Sequence, residues 1–570
     1  MLRKRLLAIM VATMLFAPGL TALAQKGKGK GGAKPATAKN VLPPIKYTQY
    51  TLPNGMRVIL HEDHSTPIVG VNVWYHVGSK NETPGRTGFA HLFEHMMFQG
   101  FKGYDYDYIP VLQEIGGAIN GSTTSDRTNY WELVPSNFLE TALFMEAGRM
   151  KNLLEAMTMT KLDNQRDVVK NEKRQRIDNQ PYGQAFYKIG QTMYPKDHPY
   201  NWPVIGWMED LSAASLDDVK SFFSTYYVPN NASLVLSGDF DPKEARALIE
   251  KYFGPVQKGA DVARPKPAMP ALDREIREQI DDRVQLPRVY MSWHSVPQYS
   301  KDEAALDTLA AILGGGKSSR LYKTLLYDKQ IVQNASSFNG TSEIAGLFQV
   351  VATAKPGKTL AEIEQAIDAE VARLKDAPPT SEEMERAYNV REAGFIFGLQ
   401  TVGGFGGKDD QLNNYATFLN DPGYFEKDLA RYRAVTGADV QRVAKQYLTD
   451  KRYILSVVPR AAGAAGAAAS SSLVCSALTL TGTPLSTALP DSGSRRFSSS
   501  KSLRLAPGRS AARFIRVPPR WWPQPCGRLT TPGIISSEIS SGASISPTDD
   551  AIFTLCPPVR PRADASEGCM

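Results

Sequence analysis

A chain of 570 residues is too long for one hydrophobic core and sets an expectation of two or more domains. Hydrophobic residues at 42% and charged residues at 22% are ordinary for a soluble globular protein. The net charge of +8 collects toward the ends, at Lys26, Lys28 and Lys30 and in an Arg-rich C-terminal stretch. No basic helix with interleaved aromatics accompanies it, which sets nucleic-acid binding aside.

In chain order, residues 1–24 have the form of a signal peptide. Arg3, Lys4 and Arg5 precede an apolar run from Leu6 to Leu20, and Ala22-Leu23-Ala24 offers a small-x-small cleavage site after Ala24. The run is short for a span and is broken by Pro18-Gly19, so the expectation is cleavage and a periplasmic or secreted product, with no stable membrane span afterwards. Residues 25–45 are a flexible basic leader of Lys, Gly, Ala, Pro and Thr.

The body follows, and it lacks cysteine: Cys475, Cys526, Cys556 and Cys569 all lie in the last fifth of the chain. That suits an oxidising compartment and removes thiolate as a metal ligand in the body. Asn54-Gly55 is a turn signal between Tyr47–Leu52 and Arg57–His61, predicting a hairpin. Val69–Val77 alternates and is rich in Val and aromatics, a strand. Helices are expected at Phe89–Gln99, Phe138–Asn152, Lys161–Asp178 and Leu216–Tyr226, and strands at Ser122–Thr124, Thr128–Val134 and Ser233–Ser237.

A second unit repeats the first. Residues 217–236 (DDVKSFFSTYYVPNNASLVL) match 438–457 (ADVQRVAKQYLTDKRYILSV) nearly position for position at a constant offset, and Val289–Val296 is similar to Val71–Val77. The fold expected is α+β: two homologous repeats over residues 46–257 and 273–459, each an antiparallel-rich sheet covered by helices, joined by a Pro- and Ala-rich linker at 258–272. Residues 460–570 open with AAGAAGAAASSS and show no sustained period, so a disordered tail is expected, with out-of-frame translation as the alternative.

Chemistry concentrates in His91-Leu92-Phe93-Glu94-His95. Residues four apart on a helix share one face, one turn apart, so two imidazoles reach one ion. Glu94 beside them is placed to act on a water at the ion's open position, and catalytic zinc takes three protein ligands and one water. The third ligand comes from elsewhere. Glu172 lies on the expected helix 161–178, and the residues alone do not choose it over several other acids. His61, His64, His76, His198 and His294 are expected to pack or face solvent.

GFAHLFEHMMFQG (88–100) resembles the HxxEH helix of the pitrilysin, insulin-degrading and mitochondrial-processing peptidase family, the inverzincins. The resemblance spans about residues 47 to 459. It implies one Zn2+ per chain held by His91, His95 and Glu172, the last being 77 residues past His95, with Glu94 as general base. GGAINGST (116–123) is similar to the family's GGxxNAxT edge strand, which implies peptide binding by strand addition at Asn120, Gly121, Ser122 and Thr123. Gln165 stands where the family often has a Glu seven residues before the ligand, and is expected beside the ligand set. In the second repeat Arg320 is present for substrate, while the expected Tyr partner is Asn334. A full chamber in the family takes four such repeats, implying a homo-oligomer or a hetero-oligomer with a second two-repeat subunit.

The activity implied is zinc-dependent endopeptidase action on peptides or unfolded polypeptides. Two alternatives stay open: a non-catalytic structural or assembly subunit with the same fold, and a metal hydrolase acting on another bond.

Overall fold

The computed structural model describes residues 44–460. The expected signal peptide, nearly all of the basic leader and the tail beyond Arg460 lie outside the described residues. Among those described, no helix is long and apolar enough to cross a membrane.

The first domain runs β1 (Thr48–Thr51), β2 (Arg57–Glu62), β3 (Ile68–Tyr75), α1 (Phe89–Met96), α2 (Tyr108–Glu114), β4 (Ala118–Thr123) and β5 (Thr128–Pro135). It continues through α3 (Leu139–Ala156), α4 (Met159–Lys173), α5 (Ala185–Met193), α6 (Met208–Ala213), α7 (Leu216–Tyr226), β6 (Ala232–Gly238) and α8 (Pro242–Phe253). The second domain runs β7 (Ile276–Asp282), β8 (Arg288–Ser295), α9 (Glu303–Gly314), β9 (Val332–Thr341) and β10 (Gly346–Ala354), then α10 (Leu360–Asp376), α11 (Ser381–Gly398), α12 (Lys408–Leu419), α13 (Phe425–Arg433), α14 (Gly437–Tyr447) and β11 (Tyr453–Pro459). No helix or strand interrupts the segment between Phe253 and Ile276.

The two sheets share one topology except for β1, which adds a sixth strand to the first. The first has order β1-β2-β6-β3-β5-β4 and the second β7-β11-β8-β10-β9. β2 pairs β6 in parallel, as β7 pairs β11, and every other pairing is antiparallel. The repeat seen in the sequence survives to the residue: α7 and α14, and β6 and β11, keep the constant offset of 221. Both helices begin with a capping box, Ser215 with Asp218 and Thr436 with Asp439, so the same local chemistry starts each.

Period two assigns the faces of β3. Val69, Val71, Val73 and Tyr75 enter the core against α1, α3 and α7. Asn72 and Trp74 point the other way, onto α12 of the second domain, where Asn413 donates to Asn72 O (3.0 Å) and Oδ1 (2.9 Å) and accepts from Ser233 Oγ (2.6 Å). The reciprocal contact is made by α5: Ala185, Ile189 and Met193 pack with Tyr290, Tyr453, Leu455 and Val457 of the second sheet. Each domain thus lends one helix to the outer face of the other's sheet. This is why β3 and β6 are buried nearly end to end and carry only uncharged residues on both faces.

The turn between β9 and β10 adds a polar lock. Lys80 Nζ, with no exposed surface, pairs with Asp126 (3.0 Å) and with Glu343 from that turn. Asp126 also accepts from Tyr200 Oη (2.6 Å) and from the Glu343 N–H (2.8 Å), and His76 Nε2 lies 2.6 Å from Glu343. The expected helix 161–178 is divided: α4 ends at Lys173 and Arg174–Asp178 is one π turn.

Lys80→Met keeps the bulk but removes the cation between the buried Asp126 carboxylate and the half-buried Glu343. It should lower unfolding stability by about 3–5 kcal/mol, the usual effect of breaking a buried pair, measured by urea unfolding followed through tryptophan fluorescence.

Candidate metal centre

Every residue of α1 is buried. Its start depends on Gly88, whose φ of 85° is left-handed and where a Cβ would lie 2.7 Å from Ile205 O. Gly88 has no side chain to cap the helix. Glu82, folded back from the preceding turn, accepts the N–H groups of Gly88 (2.9 Å) and Ala90 (2.8 Å), placing a carboxylate at the positive end of the helix. Phe93 anchors the apolar face, with its ring 5.7 Å from Phe222 and 5.4 Å from Tyr227.

The opposite face carries the imidazoles. His91 and His95 are stacked edge to face with centroids 4.8 Å apart. Glu172, on α4, brings Oε2 to 3.2 Å from His95 Nε2 and 3.7 Å from His91 Nε2. These three residues form the one His, Cys, Asp and Glu cluster with metal-ligand spacing among the described residues, with ligand atoms within 4.8 Å of one another. Of the acids that the residues alone left open, Glu172 is the one that the structure brings to both histidines. Glu172 Oε1 is held by Arg176 at 3.0 Å, leaving Oε2 for the histidines.

Charge at the cluster suits a cation. Burial, reinforced by neighbouring His95 and only partly opposed by Glu172, pushes His91 down to about 3, so it stays in the neutral form that binds metal. Burial works to raise Glu172, but its hydrogen bond with His95 and the neighbouring His91, His95 and Arg176 hold it below the ordinary carboxylate value. Two imidazoles and one carboxylate are a zinc donor set, and the residues fit that ion.

Glu94 is buried beside them. Its Oε2 accepts from Thr123 Oγ1 at 2.7 Å, while Oε1 is buried and hydrogen-bonds to nothing among the described residues. Burial pushes this carboxyl well above its ordinary value, against the Thr123 hydrogen bond. Gly121 lets β4 come this close: a Cβ there would sit 3.2 Å from Glu94 Cγ.

The expected substrate residues divide. β4 is the edge strand of its sheet, paired only with β5, so its outer backbone is placed to receive a strand. The side chains of Ser122 and Thr123 are buried and engaged inside the protein, Ser122 Oγ with Asn129 Oδ1 (2.6 Å) and Thr123 with Glu94, so these two contribute backbone rather than side chain to that edge. Asn120 is half-buried and folds its Oδ1 onto the Gly121 N–H (2.8 Å). Gln165 is buried on α4, two turns before Glu172. Arg320 uses its fork on Glu383, with two contacts of 2.8 Å, and Asn334 lies exposed on β9. Glu82, Arg176 and the inward turn of Thr123 were not anticipated. The GST spacing marks Thr123 only as a strand residue, and Glu82 precedes the helix by too many residues for a capping box.

Two substitutions test this arrangement. Thr123→Val removes the donor to Glu94 and should lower turnover about tenfold to a hundredfold with metal content unchanged, while Thr123→Ser keeps most of it; steady-state kinetics beside metal analysis decide. Arg176→Ala frees the Glu172 carboxylate and should weaken zinc affinity about 10–100-fold, read by competition against a chromogenic chelator.

Residues 57–201 match the family model described as Insulinase (Peptidase family M16), and residues 213–390 match that of the Peptidase M16 inactive domain. The zinc protease PqqE of Helicobacter pylori is 30% identical over 425 residues, covering 72% of this chain and 92% of that protein. A probable mitochondrial-processing peptidase subunit beta of Arabidopsis thaliana is 26% identical, covering 72% of this chain and 77% of that protein. A solved protease from Helicobacter pylori superposes with a TM-score of 0.67 at 28% identity, covering 73% of this chain and all of that one. With an HxxEH helix and a distant glutamate converging in the first of two like domains, this chain belongs to peptidase family M16.

Proposed function

We propose that this chain is a zinc-dependent endopeptidase that hydrolyses peptides or unfolded polypeptides after export from the cytoplasm. The observation that carries the reading is the convergence of His91, His95 and Glu172 beside a buried carboxylate, Glu94, with one oxygen tied to Thr123 and the other left over. The relative named zinc protease supports it, as does the edge position of β4.

His91, His95 and Glu172 would hold the ion. Bound zinc supplies Lewis acidity, which polarises a scissile carbonyl and lowers the pKa of water to about 7. The chain's own residues do the rest. β4 pairs the substrate backbone as an added strand and demands little of its sequence. Glu94 takes a proton from the attacking water at Oε1 while Thr123 fixes Oε2. The water oxygen bonds to the carbonyl carbon, the C–N bond breaks, and Glu94 returns the proton to the leaving amine. The signal-like residues 1–24 support a periplasmic or secreted site of action.

The occupied fork of Arg320 and the Asn at position 334 favour a second element of the reading: the peptide chamber is completed by another two-repeat subunit, either a second copy or a related chain. The relative named as a subunit beta supports it.

The test is metal content and hydrolysis of a quenched-fluorescent peptide library by the whole protein beside Glu94→Gln. Both should bind about one zinc per chain, with turnover falling at least about 10²-fold in the variant. Zinc without cleavage in either would move the chain to the assembly-subunit reading, and absence of zinc binding would overturn the metal centre.

A further inference from the structure

Asp410 lies on α12 in the second domain, yet its contacts run toward the first. One oxygen, Oδ1, accepts from Trp74 Nε1 (3.0 Å), Asn129 Nδ2 (3.0 Å) and Asn72 Nδ2 (3.4 Å). The other accepts the Gly406 N–H (2.9 Å), which ties the carboxylate to the loop leading into α12.

Asn129 is the important donor. It sits on β5 directly opposite Ser122 of the edge strand. A side-chain amide can present oxygen or NH2 in either direction, and its neighbours decide which. A carboxylate only accepts, so Asp410 draws the NH2 toward itself and turns Asn129 Oδ1 toward Ser122. Ser122 Oγ accepts from Arg127 Nη1 (2.7 Å), so its own hydrogen is directed at Asn129 Oδ1 (2.6 Å). The same Arg127 nitrogen donates to Ser122 O (3.1 Å). The chain of bonds has one direction and ends on the edge strand. The next residue, Thr123, points to the opposite face and meets Glu94.

Docking of α12 does not need this contact. Asn413 already bonds Asn72 and Ser233, Ser237 Oγ donates to Val402 O (2.7 Å), and Arg57 donates to Asn420 Oδ1 (2.7 Å). Those contacts fall on β2, β3 and β6, away from the edge. Among the α12 side chains that hydrogen-bond the first sheet, Asp410 is the one that reaches β5.

We propose that Asp410 is a positioning residue for peptide hydrolysis, by which the second domain sets the pose of edge strand β4 and, through Thr123, of the Glu94 carboxylate. The proposal rests on the peptidase reading above.

The experiment compares Asp410→Ala, Asp410→Asn and Asn413→Ala in the whole zinc-loaded protein. It measures kcat and KM on a quenched peptide, zinc content, thermal unfolding, and amide hydrogen exchange resolved by strand. Asp410→Ala should lower kcat and raise KM, reducing kcat/KM about tenfold to a hundredfold, as small misplacements of a reacting group do, with zinc content unchanged. Exchange should quicken in β4 and β5 and not in α1. Asp410→Asn, whose amide oxygen still accepts, should lose less. Asn413→Ala should lower the unfolding temperature and leave kcat/KM as it was. The proposal is overturned if folded Asp410→Ala keeps wild-type kcat, KM and β4 exchange, or if Asn413→Ala loses activity in the same proportion to its loss of Tm. Should the wild type bind zinc and cleave nothing, the peptidase reading fails, and exchange alone then judges the positioning: quickening confined to β4 and β5 supports it and unchanged exchange overturns it.

Discussion

The exchange of helices between the two domains is the constraint on which the rest of the molecule depends. A sheet with apolar or uncharged polar side chains on both faces needs cover on both. In the first domain the inner face of β3 is covered by its own helices, while the outer face presents Asn72 and Trp74, which find partners on α12. In the second, α5 covers Tyr453, Leu455 and Val457. Neither sheet is closed by its own sequence alone, so the buried ion pairs at Lys80 and the hydrogen bonds at Asn413 are part of what makes each core a core.

On this frame the candidate metal centre is held from several directions. α1 is fixed by aromatic packing on one side and by Glu82 at its N-terminus. Glu172 arrives from α4, and its two oxygens are divided between Arg176 and the histidines. Glu94 is oriented by a strand hydroxyl. These groups share a site from which water is largely excluded, so a charge that developed there would be little screened. Local order of this kind would let binding and proton transfer occur without first rearranging the protein.

Much of the chemistry was legible because it is local. His91, Glu94 and His95 sit within one turn and a half of helix, and a four-residue spacing has one geometric meaning on a helix. The repeat was legible because the same apolar positions recur in residues 217–236 and 438–457, and α7 and α14 keep that offset at their first and last residues. What stayed hidden depends on pairs far apart in the chain. Nothing near Thr123 shows that its hydroxyl turns inward to Glu94, and nothing near Arg320 shows that Glu383 will occupy it. The π turn at Arg174–Asp178 looks like ordinary helix in the sequence because a single widened turn leaves the apolar pattern almost unchanged. Helix α5 is hard to see in the sequence because its apolar residues answer to the other domain's sheet rather than to their own.

The reciprocal loan of α5 and α12 also bears on ancestry. A lone unit of this kind, made before any duplication, would bare one sheet face and carry one helix with nothing to lie on. Two identical copies would satisfy both wants at once, each giving what it receives, about a twofold axis. Joining two such genes end to end would turn an exchange between molecules into one within a molecule. One copy could then do without metal ligands while keeping its helix, because the half that carries His91, His95 and Glu172 still rests on it.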